Sequence, residues 1–389
     1  MRYHIFFVPL SHYNSVKNKS FNLMKRLSIL GLGLLLSASS LMAQNVRPVT
    51  NLRNGQFPQL TADNRGVFQL KAPDAKEVLV DIGGKKYPMT KDDKGVWSAT
   101  TDVLMSGINY YFLYVDGVQI SDPASETFYG CSRMSSCIEV PYAKGDVRFE
   151  LANVAHGETT MRRYYSNNEG AWRRMFIYLP PSYQTDLSKT YPVLYIQHGG
   201  GEDERGWALQ GRTDIILDNL IAQDKANEMI VVMSDGNCKD FIKELTEECI
   251  PLVEKTYRVK KDAANRAMAG LSMGGIQTLN IAVAKPELFQ YVGVFSSGWF
   301  TRPFGNNPQM NADENYKKLA ERKEFYNKQF KEFYLTMGGE EDIAFNNCKA
   351  MRAKFDEIGI KYKYFETPGG HTWPVWRESL YQFAQLLWK

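Results

Sequence analysis

One short stretch limits the possible folds of this chain more than any other. Gly270-Leu271-Ser272-Met273-Gly274, followed by Gly275, lies between an apolar run at 267–271 and a helical one at 275–284. Glycines at these positions permit a turn in which side chains would clash, and a serine held there has a strained backbone. The turn lifts the Ser272 hydroxyl above the end of a strand and aims a helix N-terminus at it.

The surrounding pattern agrees with that unit. From residue 145 onward, strand-like runs (174–179, 193–197, 229–233, 267–271, 291–295, 333–336, 362–365) alternate with helical ones (214–223, 241–257, 275–284, 345–358, 375–387). Pro251 is expected to kink the second helix. Such alternation predicts an α/β region with a mostly parallel sheet covered on both faces, and reacting residues at the carboxyl ends of strands. Residues 44–144 follow a different grammar. Short alternating runs at 66–70, 78–82, 95–99 and 110–115 are separated by turn signals such as Gly83-Gly84 and Asp116-Gly117, which predicts a small β-sandwich. Tyr110, Tyr111 and Tyr114 are assigned to its core.

Residues 1–43 form a third region. Met24-Lys25-Arg26, an apolar run over 27–36 and small residues up to Ala43 predict a targeting segment cleaved near Ala43, with an apolar core too short to span a membrane. Met24 is an alternative start to Met1. This segment holds five basic residues and no acidic one, leaving 42 basic and 43 acidic residues in the rest. The basic excess therefore belongs to the targeting segment, and charge gives no case for nucleic-acid binding. In an exported chain Cys131 and Cys137, flanking a turn-like stretch, are the best-placed disulfide pair, whereas Cys249 falls on a buried helical stripe. No Cys/His cluster has metal-ligand spacing, so neither a metal nor a cofactor is expected.

A serine hydroxyl needs a base to attack near neutral pH. Beyond residue 43 the histidines are His156, His198 and His371. His198 opens the sequence His198-Gly199-Gly200-Gly201 after a buried strand and suits a loop-shaping role. His371 lies in a glycine-bounded loop between the last strand and the last helix. A chain order of serine, acid and histidine, as in α/β-hydrolases, selects it. The acid should follow a strand between the two, where Gly338-Gly339-Glu340-Glu341-Asp342 offers Asp342, with Glu341 as rival. The amides of Met273 and Gly200 are the candidate oxyanion donors.

With these residues in view, the C-terminal region resembles the esterase D-like carbohydrate esterases of family 1, which include feruloyl and acetylxylan esterases. The likeness rests on YPVLYIQHGGG at 191–201, Trp207, AGLSMGG at 269–275, Gly339 to Asp342, and Thr367-Pro368-Gly369-Gly370-His371-Thr372-Trp373. Residues 44–144 resemble early-set immunoglobulin-like modules related to glycan-binding family 48, through Lys71-Ala72-Pro73, Asp93 to Trp97 and Asp122-Pro123. The resemblance implies an exported serine esterase acting on plant cell-wall glycan esters, above all feruloylated arabinoxylan. Trp207, Trp299, Phe300 and Trp373 would be substrate-binding residues. Residues 234–240 are shorter than is usual in feruloyl esterases, where the segment helps line the acyl pocket. Acetylxylan esterase, siderophore esterase and a non-catalytic glycan-binding protein are the alternative readings.

Overall fold

Apolar residues at every second position build two antiparallel sheets in the first part of the chain. The computed structural model describes residues 45–300 and 312–389; the expected targeting segment lies outside them. One sheet runs Gln59–Leu60, Arg65–Lys71, Val96–Val103, Thr90–Lys91. The other runs Lys85–Pro88, Val78–Ile82, Gly107–Val115, Arg133–Val140, Thr127–Gly130, with Val118–Ile120 also pairing Gly107–Val115. Phe68 and Trp97 from the first sheet meet Val80, Tyr111, Leu113 and Ile138 from the second in one buried cluster.

The second sheet is covered on its other face too. Because side chains alternate along a strand, Ile108 and Cys137 point away from that cluster and join another with Trp207, Trp373, Trp376 and Leu380. Residues Arg47–Lys389 accordingly form one compact unit. Glu139, two residues beyond Cys137 on the same strand, is held by Arg377 through Nη1 to Oε1 at 2.7 Å and Nη2 to Oε2 at 3.2 Å. Arg212 approaches the same carboxylate at 3.3 Å.

The expected Cys131–Cys137 bridge is not present; all five cysteines are free. The strand from Arg133 carries Cys137 roughly 13 Å along its length, beyond a disulfide's reach from the exposed turn at Cys131.

The third sheet has eight strands. Their order is Glu158–Ser166, Ala171–Leu179, Ile230–Ser234, Val193–Gln197, Arg266–Leu271, Tyr291–Phe295, Glu332–Met337, Lys363–Glu366. The first two pairings are antiparallel and the remaining five parallel. The central strands are buried along their whole length, as expected when helices cover both faces. The helical stretch over 241–256 widens into a π-helix at Glu244–Cys249, just ahead of Pro251. Proline lacks the N–H that would continue the ordinary ladder and crowds the carbonyl four residues earlier. No described helix is long and apolar enough to cross a membrane.

Candidate active site

Ser272 stands at the carboxyl end of Arg266–Leu271, directly before the helix Met273–Ala284. Its φ of 51° and ψ of −116° lie outside the regions that non-glycine residues favour. Its N–H donates to the Phe295 carbonyl at 2.9 Å, and its own carbonyl accepts the Ser297 hydroxyl at 2.6 Å. The neighbouring glycines are required by contact. A Cβ at Gly270 would lie 2.2 Å from the Gly274 oxygen, and one at Gly274 2.5 Å from the His198 oxygen. Gly199 is equally constrained, because a Cβ there would meet Leu271 Cδ1 at 2.5 Å and Ser272 Cβ at 3.3 Å.

His371 and Asp342 come from the loops after the last two strands of the sheet. The Gly339 N–H donates to the Gly369 carbonyl at 2.7 Å and ties these loops together. His371 Nδ1 lies 2.8 Å from Asp342 Oδ1. A carboxylate partner there assigns the proton to Nδ1 and leaves Nε2 as the basic nitrogen. The indole of Trp376 packs edge-on against the imidazole at 5.1 Å. Burial opposes ionisation of Asp342, but the hydrogen bond and charge of His371, with the Ala344 N–H, outweigh it and hold the carboxyl below its ordinary range. Glu341, the rival acid, is exposed.

His198 is 1% exposed, and its ring spans two loops. Nδ1 donates to the Gly199 carbonyl at 2.8 Å, and Nε2 accepts the Gly236 N–H at 2.9 Å. It therefore fixes the glycine loop next to Ser272. Gly200 is exposed, with no atom within 4 Å of where a Cβ would stand, and it shares a cavity with His371. Among the described residues, neither the Gly200 nor the Met273 amide donates to a backbone carbonyl in a turn, loop or cap.

That cavity has a volume of about 340 Å³. Its lining comes from both parts of the chain: His371, Gly200, Trp373 and Trp376 from the hydrolase part, and Met105, Tyr110 and Phe112 from the first β layers. Glu202, only 5% exposed, also lines it. Its Oε1 accepts the Trp373 indole N–H at 2.9 Å and the Tyr110 hydroxyl at 3.3 Å. Burial pushes this carboxyl up to about 7.

The four expected substrate-binding residues divide. Trp373 lines the cavity, although it is 2% exposed. Trp207 and Trp299 are each 1% exposed and spend their indole N–H groups inside the fold, on the Gln197 carbonyl and Asn280 Oδ1. They are core residues: Trp207 packs edge-on against Phe295 and Trp373, and Trp299 against Tyr316 and Phe355. Phe300 packs against the cluster containing Trp299. Tyr110 departs from its core assignment and faces the cavity, while Tyr111 is fully buried. Sequence reasoning missed Phe112, Met105 and Glu202; apolar residues on both faces of 107–115 were the available signal.

A strained serine at a strand–helix turn and a histidine–carboxylate pair, on this sheet order, define an α/β-hydrolase, here a carboxylic ester hydrolase. The chain belongs to the putative esterase family, whose model matches residues 166–386. A curated relative, the endo-1,4-beta-xylanase/feruloyl esterase of Xylanibacter ruminicola, is 33% identical over 357 residues, covering 86% of this chain and 46% of that protein. Endo-1,4-beta-xylanase Y of Acetivibrio thermocellus is 27% identical, covering 53% of this chain and 21% of that protein. The chain thus spans less than half the length of these two relatives. A ferulic acid esterase structure superposes with a TM-score of 0.54 at 25% identity, covering 60% of this chain and 99% of its own. Enterochelin esterase from Shigella flexneri reaches a TM-score of 0.65 at 19% identity over 85% of this chain and 94% of its own, a likeness of fold alone.

Proposed function

We propose that this chain is an exported serine esterase that releases ferulate from arabinoxylan, with Ser272 as nucleophile, His371 as base and Asp342 as its orienting acid. The observation that carries the catalytic part is the 2.8 Å His371–Asp342 contact, in loops that follow strands of the same parallel sheet at whose carboxyl edge the strained Ser272 turn stands. The substrate class is supported by the relative described as an endo-1,4-beta-xylanase/feruloyl esterase. His371 Nε2 takes the Ser272 proton as Oγ attacks the ester carbonyl. The amides of Gly200 and Met273 hold the oxyanion. The sugar alcohol leaves with the proton from His371, and water then repeats the sequence to free the acid.

Acetylxylan ester hydrolysis uses the same machinery and differs only in the acyl group. A trianionic siderophore is disfavoured, because among the described residues no Lys or Arg lines the cavity beside His371 while Asp81 and Glu202 do. Arg212 is committed to the Phe149 carbonyl and to Glu139. A purely glycan-binding role leaves the buried acid on His371 unexplained. The test is product analysis on arabinoxylan bearing feruloyl and acetyl esters. Ferulate should appear with the wild type, and Ser272→Ala should lose at least ~10⁴-fold in turnover while keeping its fold. Acetate alone moves the assignment to acetylxylan esterase; undiminished Ser272→Ala activity refutes the mechanism.

A further inference from the structure

We propose that the first β layers build the subsite for the leaving alcohol: a sugar ring of the glycan sits in the 340 Å³ cavity, between Phe112 and Tyr110 on one side and the loop of His371 on the other. The inference rests on the esterase reading above but is independent of which acid is released.

Position makes the first argument. In the acylation step the histidine must hand its proton to the leaving oxygen, so the alcohol has to lie on the histidine's side of the reacting carbon. The cavity opens there, lined by His371, Thr372 and Gly200. Gly200, a proposed oxyanion donor, is in that lining while Ser272 and Met273 are not, which sets the cavity beside the reacting carbonyl on the histidine's side.

Chemistry makes the second. A sugar ring offers apolar C–H faces and a rim of hydroxyls, and sites for such ligands combine flat apolar surfaces with a few placed polar groups. Here Tyr110, Phe112 and Trp376 supply the rings, and Asp81 and Asn109 supply polar side chains. Glu202 Oε2 is buried without a hydrogen-bond partner, an acceptor that a hydroxyl or a bridging water would satisfy. Among the described residues no Lys or Arg is in this lining, which fits a neutral ligand.

The third argument is how the wall is held. Strand alternation sends Ile108, Tyr110 and Phe112 to one face of Gly107–Val115, opposite the core residues Tyr111 and Leu113. The Tyr110 hydroxyl accepts from Gln210 Nε2 at 2.8 Å and from the Trp373 indole at 3.0 Å. The wall is thus fixed to the catalytic loop by direct bonds across the two parts of the chain.

The experiment keeps the acid constant and changes the alcohol. For the full chain, kcat/KM is measured on methyl ferulate and on a feruloylated arabinoxylo-oligosaccharide, with Phe112→Ala and Asp81→Ala as variants. The expected result is a fall of roughly tenfold or more in the ratio of sugar ester to methyl ester. An unchanged ratio in both variants overturns the proposal, as does a shift that follows the acid when methyl acetate replaces methyl ferulate. If the wild type cleaves only acetyl esters, the feruloyl reading fails. The same ratio, taken between an acetylated oligosaccharide and methyl acetate, then decides the subsite on its own.

Discussion

Glu202 and Asp342 are both buried carboxyls close to His371, and their surroundings push them in opposite directions. Burial, only partly offset by hydrogen bonds from Trp373 and Tyr110, raises Glu202 from 4.5 to about 7. Between those values the folded protein keeps a proton that the unfolded chain has released, so stability falls as pH rises through the window. At 1.36 kcal/mol per unit the effect amounts to about 3 kcal/mol. Glu202→Gln should therefore gain stability relative to the wild type as pH rises from about 5 to about 8, read from urea midpoints at each pH. A difference that stays constant with pH would show that Glu202 is ionised throughout. Asp342 has the reverse sign: its carboxyl is held low, so its contribution is present at neutral pH and is lost as acid protonates it. Single-residue chemistry of this kind was half legible in the sequence. The position of Ser272 follows from its glycines and that of His371 from elimination. Glu202, whose Oε1 is held by a tryptophan 171 positions away while its Oε2 has no partner, left no local trace.

At the scale of elements, the tight turn and the long strand behaved differently under sequence reading. The turn was legible because part of its requirement is local: Gly270 touches backbone of the same unit at Gly274, although Gly274 itself packs against the distant His198 loop. Gly270→Ala would press a methyl to 2.2 Å from the Gly274 oxygen, and backbone cannot rotate away as a side chain can. It should cost about 3 kcal/mol by urea denaturation and remove activity even where the fold survives. A variant with wild-type midpoint and rate would mean that the turn relaxes freely. The strand Gly107–Val115 was legible as a strand, yet its faces were not. Tyr110, Tyr111 and Tyr114 have the same side chain, and only the sheet's partner on the far side decides which of them meets solvent, core or cavity. That partner lies roughly a hundred residues or more downstream, at Gln210 and Trp373.

For the whole molecule, the join between the β layers and the hydrolase sheet matters most. Two regions were distinguishable by their grammar, but nothing in either indicated that one would help to wall the other's site. Arg377 is 1% exposed and Glu139 6%, and the bidentate pair between them links the second sheet to the helix Trp373–Ala384. Glu139→Gln leaves the buried Arg377 guanidinium, and the part-buried Arg212 beside it, without their counter-charge, which should cost about 3–5 kcal/mol. Calorimetry checks this together with activity against temperature, and the two should fail at the same point. Loss of structure in the β layers at a temperature where hydrolysis continues would contradict the coupling.

The same clamp bears on descent. The proposed catalytic groups and the residues that line the proposed sugar subsite occupy different stretches of one chain, so recombination could exchange the second set while the first is inherited intact. Any incoming segment must still present a carboxylate to Arg377 and an apolar face to Trp373. Inheritance of new glycan preferences is thereby channelled through a single docking geometry.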